Sequence, residues 1–368
     1  MRKILQILPS FNKSWGGPRK TGAELSNYIS TNKFGLVDIC CTNVYGDYSI
    51  LEKNNEINIH QFDVSVFNKV WITHTNSFSD FLKEKICEYD ILHIHEMWHY
   101  LHYLSAKISI KNKIPYIITP HGGLEKRRLN NIKKYIFAHL IEKKICDNAK
   151  YIHSLTKFEN QDILSLSPNA KTIIIPNGVN IKPSFQNSCD IYSKYNIDQR
   201  AKKILFLGRL HKDKGLDLLI NSFKKESINN NWNLIIAGPD QGNYEEVYKN
   251  NKNIIFTGLV EGVEKLNLLN IVDVFILPSY GEGFSISVLE AMSFKIPVII
   301  SKYCYFPEVE EFNTGIIIDL NQESIGNALN KILMNQSLQY KMGNNGFDLV
   351  KKKYENKFIY SQIMKLYN

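Results

Sequence analysis

The chain has 368 residues, 44% of them hydrophobic and 22% charged, which is the composition of a folded protein and argues against long disordered stretches. Its length favours two domains, because a single hydrophobic core stops growing near ~250–300 residues. Lysine and arginine exceed aspartate and glutamate by 45 − 36 = 9, so we expect anionic partners, which charge alone leaves open as nucleic acid, anionic lipid or phosphorylated small molecules.

The sequence predicts a cytoplasmic protein. No apolar run approaches the ~18 residues of a membrane span. Met1-Arg-Lys begins like a signal peptide, but the apolar run that follows is interrupted by Gln6 and stopped by Pro9. The six cysteines are scattered without Cys-x-x-Cys spacing, so we expect free thiols in a reducing compartment.

Strand-like segments alternate with segments of helical spacing, which predicts parallel sheets covered by helices. The predicted strands are Ile4–Leu8, Leu36–Cys41, Ile57–Phe62, Asp90–His95, Ile114–Thr119, Tyr151–Leu155, Lys171–Ile175, Lys203–Leu207, Asn233–Ala237, Asn253–Thr257, Val272–Leu277 and Pro297–Ile300. Helices are predicted at Thr21–Ser30, Ser79–Glu88 and Leu216–Lys225, and the final helical run, about Leu338–Asn368, is long enough to return to the first domain. The chain is therefore expected to form two doubly wound α/β domains.

Two loops of the first half follow predicted strands. Gly16 and Gly17 lie after the first strand, as in a phosphate-binding loop, although the pattern is not Gly-x-Gly-x-x-Gly. His121 lies between Pro120 and two glycines, after the strand ending at Thr119. Because ligands bind at the carboxyl edge of such sheets, His121 is a candidate active-site residue.

The segment His95-Glu-Met-Trp-His99 matches the zinc-peptidase pattern His-Glu-x-x-His, in which both imidazoles share one helix face. Here, however, Ile91–His95 alternates like a strand, so we expect His95 to end a strand and the helical geometry to fail. His99 and His102 are then expected to be surface or cleft residues on the following helix.

The stretch Glu125–Lys144 is rich in lysine and arginine, with Leu129, Ile132, Ile136 and Leu140 at helical spacing. Two interpretations are open. The helix could lie on anionic lipid, or it could pack its apolar side on the core and expose a basic face.

The polar segment Lys182–Gln199 is poorly periodic and is predicted to be a linker. We place the first domain at 1–178, the linker at 179–200 and the second domain at 201–353. A terminal helix, about 354–368, is expected to pack back on the first domain.

In the second domain, Gly208-Arg-Leu-His-Lys-Asp-Lys-Gly215 follows a strand and carries two cations. Arg209 offers a planar fork of donors and Lys214 a point charge, a pairing that suits a diphosphate.

The segment Pro278–Met292 also follows a strand and predicts a tight loop and a helix N-terminus, which suits a phosphate. Its carboxylates, Glu282 in the loop and Glu290 in the helix, could contact different parts of one extended ligand. Ser287-x-x-Glu290 is also a capping box, in which the glutamate satisfies a helix N-terminal donor, and spacing alone leaves both interpretations open. Taken with the two cations, these acids indicate a nucleoside diphosphate sugar.

These segments together resemble the retaining glycosyltransferases of family 4. The matching motifs are Gly208-Arg-x4-Lys214-Gly215, Pro176-Asn-Gly-Val, Glu282-Gly-Phe-x4-Leu-Glu290-Ala-Met, Gly16-Gly17, His93-x-His95-x-x-Trp98 and Thr119-Pro-His-Gly122. The resemblance covers nearly the whole chain and implies a GT-B architecture, with two Rossmann-like domains facing each other across a cleft. One position departs from it, since Ser285 stands where the family often has glycine.

The resemblance also implies roles for individual residues. Arg209 and Lys214 would hold the donor diphosphate, Glu290 the ribose hydroxyls and Glu282 the transferred sugar. Gly17 would approach the donor phosphate, and His121 would lie beside the reacting sugar. The loop residues Gly283, Phe284 and Ser285 belong to the same donor site. The donor would be UDP- or GDP-linked, and no metal or other cofactor is expected.

The predicted activity is transfer of a sugar to a hydroxyl of a glycan or lipid-linked acceptor in bacterial surface polysaccharide synthesis. The expected partners exclude nucleic acid and include an anionic membrane surface contacted through Lys126–Lys144, on the inner face of the plasma membrane. Two alternatives remain: a catalytically silent binding or scaffold protein with this fold, and a zinc peptidase using His95, Glu96 and His99.

Overall fold

Parallel strands alternate with helices in both halves of the protein. The structure is a computed structural model and describes residues 1–11, 17–44, 56–125, 132–181, 191–228 and 230–368. The chain divides into two units, of which the first comprises Met1–Asn177 with Ile359–Asn368, and the second Gly178–Phe358. No helix among the described residues is both long and apolar enough to span a bilayer.

The first unit is built on a seven-stranded parallel sheet. Its strands are β1 (Arg2–Ser10), β2 (Gly35–Thr42), β3 (Asn58–Phe62), β4 (Ile91–His95), β5 (Tyr116–Thr119), β6 (Tyr151–Ser154) and β7 (Thr172–Ile174). They lie in the order β3-β2-β1-β4-β5-β6-β7. Its helices are α1 (Gly17–Thr31), α2 (Ser77–Lys85), α3 (Tyr100–Asn112), α4 (Ile132–Phe137), α5 (Lys143–Asn148) and α6 (Lys157–Leu166), with a 3₁₀ turn at Val66–Lys69 and a π-helical turn at Ala138–Glu142.

The second unit is built on a six-stranded parallel sheet in the order β10-β9-β8-β11-β12-β13. Its strands are β8 (Lys202–Leu207), β9 (Trp232–Ala237), β10 (Ile254–Gly258), β11 (Val274–Leu277), β12 (Val298–Ser301) and β13 (Gly315–Ile318). The helices are α7 (Ile191–Tyr195), α8 (Leu216–Glu226), α9 (Tyr244–Tyr248), α10 (Gly262–Asn270), α11 (Ile286–Ser293), α12 (Glu308–Glu311), α13 (Gln322–Leu333) and α14 (Gln336–Leu349), followed by a π-helical turn at Val350–Tyr354. Helix α15 (Asn356–Tyr367) begins in this unit, but its residues from Ile359 onward belong to the first unit.

Both sheets are covered by hydrophobic clusters on their two faces, which is why most of their strands are rich in β-branched and aliphatic residues. Along β1, Leu5 and Ile7 pack into one hydrophobic cluster, while Ile4 and Leu8 pack into the cluster on the other side. The structure thus confirms the prediction of two doubly wound α/β domains.

The strand order reverses direction once in each sheet, between β1 and β4 in the first unit and between β8 and β11 in the second. The loops that leave the carboxyl ends of such neighbouring strands diverge and open a crevice, where ligands of open α/β sheets bind. These two switch points therefore locate the candidate site in each unit.

The structure departs from the predicted elements in three places. Strand β13 (Gly315–Ile318) was not expected. Part of the predicted linker is folded, since α7 lies within it and Ile191 and Ile197 are buried in the core of the second unit. The long terminal helix is interrupted by an extended residue, Glu355, which pairs with Val179.

Candidate active site

The basic loop after β8 and the acidic loop after β11 lie against each other at the switch point of the second unit. Lys214 donates from Nζ to Oε1 of Glu282 at 2.6 Å. Both side chains are largely buried, at 17% and 12% exposure, so the ion pair is shielded from water. The sequence predicted that these charges share one sheet edge, and the structure brings them into direct contact.

Backbone contacts also hold the two loops together. The N–H of Tyr280 donates to the carbonyl of Asp213 at 2.8 Å, and the Ser279 hydroxyl donates to the same carbonyl at 3.1 Å. Gly215 has φ +69°, and a Cβ there would lie 2.0 Å from the carbonyl oxygen of Pro278. Only glycine permits this approach of the two loops.

Arg209, in the same loop as Lys214, is exposed. Its guanidinium donates to Oε1 of Gln241 over 3.5 Å, the outer limit of a hydrogen bond. The flanking backbone is held by the N–H of Leu210, which donates to the carbonyl of Pro239, and by Gly208, which donates to Ala237. Arg209 therefore projects a weakly engaged cation from a fixed backbone.

Glu290 is buried on α11 and does not act as a capping residue. The helix begins at Ile286 with Ser285 as its N-cap, so the predicted capping box beginning at Ser287 does not form. Instead, the carboxylate accepts a hydrogen bond from Lys265 Nζ on α10 at 2.8 Å. Lys265 compensates the buried charge and was missed at the sequence level.

The loop between β11 and α11 is anchored by its neighbours. The Glu282 N–H donates to the carbonyl of Tyr303, and the Phe284 ring contacts those of Phe306 and Tyr354. Ser285 has φ −84°, so its backbone does not require the glycine that the family often has, and its hydroxyl lies 3.0 Å from that of Ser287. Gly283 is half-buried between these anchors.

In the first unit, the predicted glycine loop is only partly described. Gly17 is the exposed first residue of α1, whereas Gly16 lies outside the described residues. The guanidinium of Arg19 donates to the carbonyl of Phe11 at 3.3 Å, which joins the first turn of α1 to the end of β1.

His121 lies in a tight turn after β5 that a buried carboxylate holds in place. It adopts a left-handed backbone (φ 51°), followed by Gly122 at φ 78°. Glu159 on α6 accepts the N–H of Gly122 through Oε1 and the N–H of Leu155 through Oε2, each at 2.6 Å. Left-handed backbone is costly for a histidine, so the two charge-assisted hydrogen bonds offset that cost. No local pattern in the sequence indicated this role for Glu159.

The His121 ring begins a chain of buried polar groups. Its Nε2 lies 3.2 Å from Nδ1 of His95, and Nε2 of His95 lies 2.8 Å from Oε1 of Gln6. Since the Gln6 oxygen accepts, His95 carries its proton on Nε2 and accepts through Nδ1. His121 must then donate from Nε2, which leaves its Nδ1 as an acceptor.

The chain continues to the C-terminal helix and across the sheet. Gln6 Nε2 donates to the hydroxyl of Tyr367 at 3.0 Å, and that hydroxyl lies 2.6 Å from Nδ1 of His93. Nε2 of His93 lies 2.7 Å from the Thr119 hydroxyl oxygen, which in turn lies 2.9 Å from Nδ1 of His153. Burial lowers the pKa of His93, His95 and His121, and that of His153 to about 4, so all four rings are neutral.

His99 and His102 are fully buried, so the prediction that they are surface or cleft residues was wrong. His99 caps α3 by accepting the N–H of His102 at 3.2 Å. His102 Nε2 lies 3.4 Å from a carboxylate oxygen of Glu142, in the π-helical turn. Burial lowers the pKa of His102 and raises that of Glu142 to about 8, so this pair is neutral near pH 7.

The zinc-peptidase geometry does not form. His95 ends β4, Glu96 has a left-handed backbone (φ 64°), and His99 lies before the first residue of α3, so the two imidazoles do not share a helix face. Within the described ranges, no group of three His, Cys, Asp or Glu side chains is placed to hold a metal ion.

The two halves of the chain match two protein-family descriptions. Residues 37–182 match "Glycosyltransferase Family 4" and residues 190–348 match "Glycosyl transferases group 1". Similar sequences include the capsular polysaccharide biosynthesis glycosyltransferase CapM of Staphylococcus aureus, 26% identical over 66% of this chain and 68% of that protein. The O-antigen biosynthesis glycosyltransferase WclY of Escherichia coli is 26% identical over 78% of this chain and 82% of that protein.

Solved structures of the same fold cover essentially the whole chain. Sucrose-phosphate synthase from Thermosynechococcus elongatus superposes with a TM-score of 0.80 at 19% identity, covering 100% of this chain and 98% of that one. HepE from Anabaena, in complex with UDP-glucose, has a TM-score of 0.80 at 15% identity and covers 99% of each chain. At such identities the likeness is one of fold.

Proposed function

This chain belongs to the family 4 glycosyltransferases with a GT-B fold, and from that premise we propose that it transfers a sugar from a nucleoside diphosphate sugar to an acceptor. The acceptor group is a hydroxyl of a glycan or of a lipid-linked molecule, and the transfer retains the configuration of the anomeric carbon. The proposed setting is bacterial surface polysaccharide synthesis, supported by the capsular and O-antigen enzymes among its relatives. HepE, of the same fold, was solved with UDP-glucose, which supports a UDP-linked donor; the alternative is a GDP-linked donor.

The observation that carries the proposal is the contact between Lys214 and Glu282 at the β8/β11 switch point. An ammonium has three donors, so Lys214 can keep Glu282 and still donate to a phosphate oxygen. Arg209 adds a planar fork from the same loop, and the N-terminus of α11 adds free N–H groups. This set of donors suits a diphosphate flanked by a sugar.

The remaining groups fit the two ends of such a donor. Glu290, oriented and compensated by Lys265, would accept hydrogen bonds from the ribose hydroxyls. Glu282 would accept from hydroxyls of the transferred sugar; Lys214 orients its carboxylate, and the carbonyl of Tyr303 holds its backbone N–H. His121 would present its Nδ1 acceptor to the reacting sugar.

In the proposed reaction the bond between the anomeric carbon and the diphosphate oxygen breaks, and its electron pair leaves with the diphosphate. Arg209, Lys214 and the α11 N-terminus stabilise that developing charge. The acceptor oxygen bonds to the anomeric carbon on the face the diphosphate leaves, and the acceptor proton moves to the departing phosphate oxygen. No enzyme nucleophile is involved, since Glu282 positions the sugar.

A panel of nucleotide sugars tests this proposal. A donor that binds only the folded protein raises its melting temperature. We expect one base and sugar combination to do so and to release its nucleoside diphosphate slowly without acceptor. Absence of any shift and of any release across UDP- and GDP-sugars would refute it, and binding without release would favour the scaffold alternative.

We also propose that the protein acts at the inner face of the plasma membrane, where a lipid-linked acceptor is found. Its net charge of +9 favours anionic headgroups. Of the basic stretch Lys126–Lys144, Arg127 and Arg128 lie outside the described residues, whereas Lys134 and Lys144 are exposed.

A further inference from the structure

Helix α4 presents its apolar residues to solvent. Ile132 is 70% exposed, Leu140 is 71% exposed in the following π-helical turn, and Tyr135 and Ile136 are about half exposed. The sequence left open whether this helix lies on anionic lipid or packs its apolar side on the core. The exposure of these residues argues against core packing and supports the lipid interpretation.

A second apolar element lies next to α4. The 3₁₀ turn after β3 exposes Val66 by 84% and Val70 by 87%, with Phe67 also exposed. A Ser65 cap to the Phe67 N–H and a hydrogen bond from the Thr73 N–H to the Asn68 side chain hold this turn in a fixed shape.

An aromatic contact joins the two elements. The Trp71 ring, one residue beyond Val70, meets the Phe137 ring of α4 edge-on at 5.9 Å. Trp71 also packs on Tyr103 and Tyr100 of α3, which gives the junction a rigid base. We define the apolar platform as Val66, Phe67 and Val70 together with Ile132, Tyr135, Ile136 and Leu140.

The charges within these two segments have one sign. Residues 66–70 and 132–140 contain lysines at 69, 133 and 134 and contain no aspartate or glutamate. A second copy of the chain meeting this surface symmetrically would place lysine opposite lysine, which is unfavourable. Exposed apolar and aromatic side chains in segments whose charges are all positive are typical of a surface that lies in the interface of an anionic bilayer.

We infer that the apolar platform inserts into the headgroup region of an anionic bilayer, with the turn Val66–Val70 and helix α4 as its two points of entry. The inference rests on the proposed function in that it supplies the site at which a lipid-linked acceptor is met. Insertion differs from a purely electrostatic attraction between a basic helix and anionic lipid. Burial of apolar side chains is not screened by salt, so part of the membrane binding should remain at high ionic strength.

Vesicle flotation of the full-length protein tests the platform. The vesicles are phosphatidylcholine alone or mixed with phosphatidylglycerol, at about 0.1 M and about 1 M salt, over which the Debye length falls from ~10 Å to ~3 Å. We expect binding to the anionic vesicles to weaken at high salt but to persist.

The decisive variant is Val66→Ser/Val70→Ser, matched by Ile228→Ser/Val247→Ser, whose two residues are comparably exposed in the second unit. The first variant should lose about tenfold in vesicle affinity, and the matched one should bind like the native protein. Equal binding of both variants, no binding by the native protein, or self-association that the first variant abolishes would overturn the inference.

Nucleoside diphosphate release from the donor, without vesicles, separates this inference from the proposed function. The Val66→Ser/Val70→Ser variant should release the nucleotide at the native rate. If the Val66→Ser/Val70→Ser variant releases nucleotide at the native rate and also binds vesicles as well as the native protein, only the inference about the apolar platform is overturned. If the native protein releases no nucleotide, only the transferase mechanism is overturned.

Discussion

Nε2 of His121 lies 3.2 Å from Nδ1 of His95, and this contact fixes which nitrogen of His121 is free to accept a proton or a hydrogen bond. Gln6 determines the direction, because its side-chain oxygen accepts from the other nitrogen of His95. His95 and Gln6 are therefore positioning residues, and His121 is the group proposed to face the sugar.

Replacing His95 by Phe tests this relationship. The Phe ring keeps the stacking that His95 makes with His93, but it removes the acceptor for His121. We expect turnover to fall by up to about a hundredfold with little change in the KM for the donor, because the loss is one of orientation. His139→Phe, at an exposed histidine, is the control.

The same pair should behave non-additively. If His95 acts through His121, the double variant His95→Phe/His121→Ala should be no slower than His121→Ala alone. Fully additive losses, or native turnover in His95→Phe, would show that His95 has no positioning role.

Glu159 provides a second test of the His121 turn. Glu159→Gln replaces one carboxylate oxygen by an amide, which cannot accept both the Gly122 and Leu155 N–H groups. We expect the free energy of unfolding to fall by about 1–3 kcal/mol and turnover to fall with it. Urea unfolding compared with the exposed Glu323→Gln measures the first effect, and equal midpoints for the two variants would contradict it.

Gly215→Ala should separate steric collision from backbone strain. Gly215 and Gly258 both have a positive φ. A Cβ on Gly215 would collide with Pro278, whereas a Cβ on Gly258 would have no neighbouring atom within 4 Å. Gly258→Ala should cost about 1–2 kcal/mol of unfolding free energy. Gly215→Ala should cost more and abolish the melting shift caused by the donor; equal costs with donor binding retained would disprove the close approach of the two loops.

Much of this site could be predicted because it depends on local pattern. Strands are marked by continuous apolar runs, and residues after parallel strands must share an edge, which is how Lys214 and Glu282 were associated. Their partners could not be found in this way. Lys265, Gln241 and Glu159 lie on other elements, and no local signal says which charged side chain turns inward.

Burial of polar residues was the other limit. His99 and His102 were expected to be surface or cleft residues because polar residues usually are, yet the fold buries both, His102 beside Glu142. The linker prediction was wrong for the converse reason, because a mostly polar segment can still bury its few apolar residues. Ile191 and Ile197 are too few to give a periodic pattern, but they pack into the core of the second unit.

The buried pair of His102 and Glu142 predicts a pH dependence of stability. Burial raises the pKa of Glu142 to about 8 in the folded protein, well above the usual range of a glutamate, so the folded state binds the proton more tightly than the unfolded state. The stability of the native protein should therefore fall, relative to Glu142→Gln, as pH rises from about 5 to about 8. Denaturant midpoints across that range measure it, and parallel curves for the two proteins would exclude the effect.

The central claim is that the cations of the β8 loop hold the donor diphosphate, and release of nucleoside diphosphate from the donor tests it most directly. Arg209→Ala/Lys214→Ala should lower release by at least about a hundredfold. Arg209→Ala alone, at an exposed position that preserves the Lys214–Glu282 pair, should lower release while the protein stays folded. The exposed pair Lys252→Ala/Lys331→Ala should release at the native rate, and native release by both Arg209 variants would contradict the account.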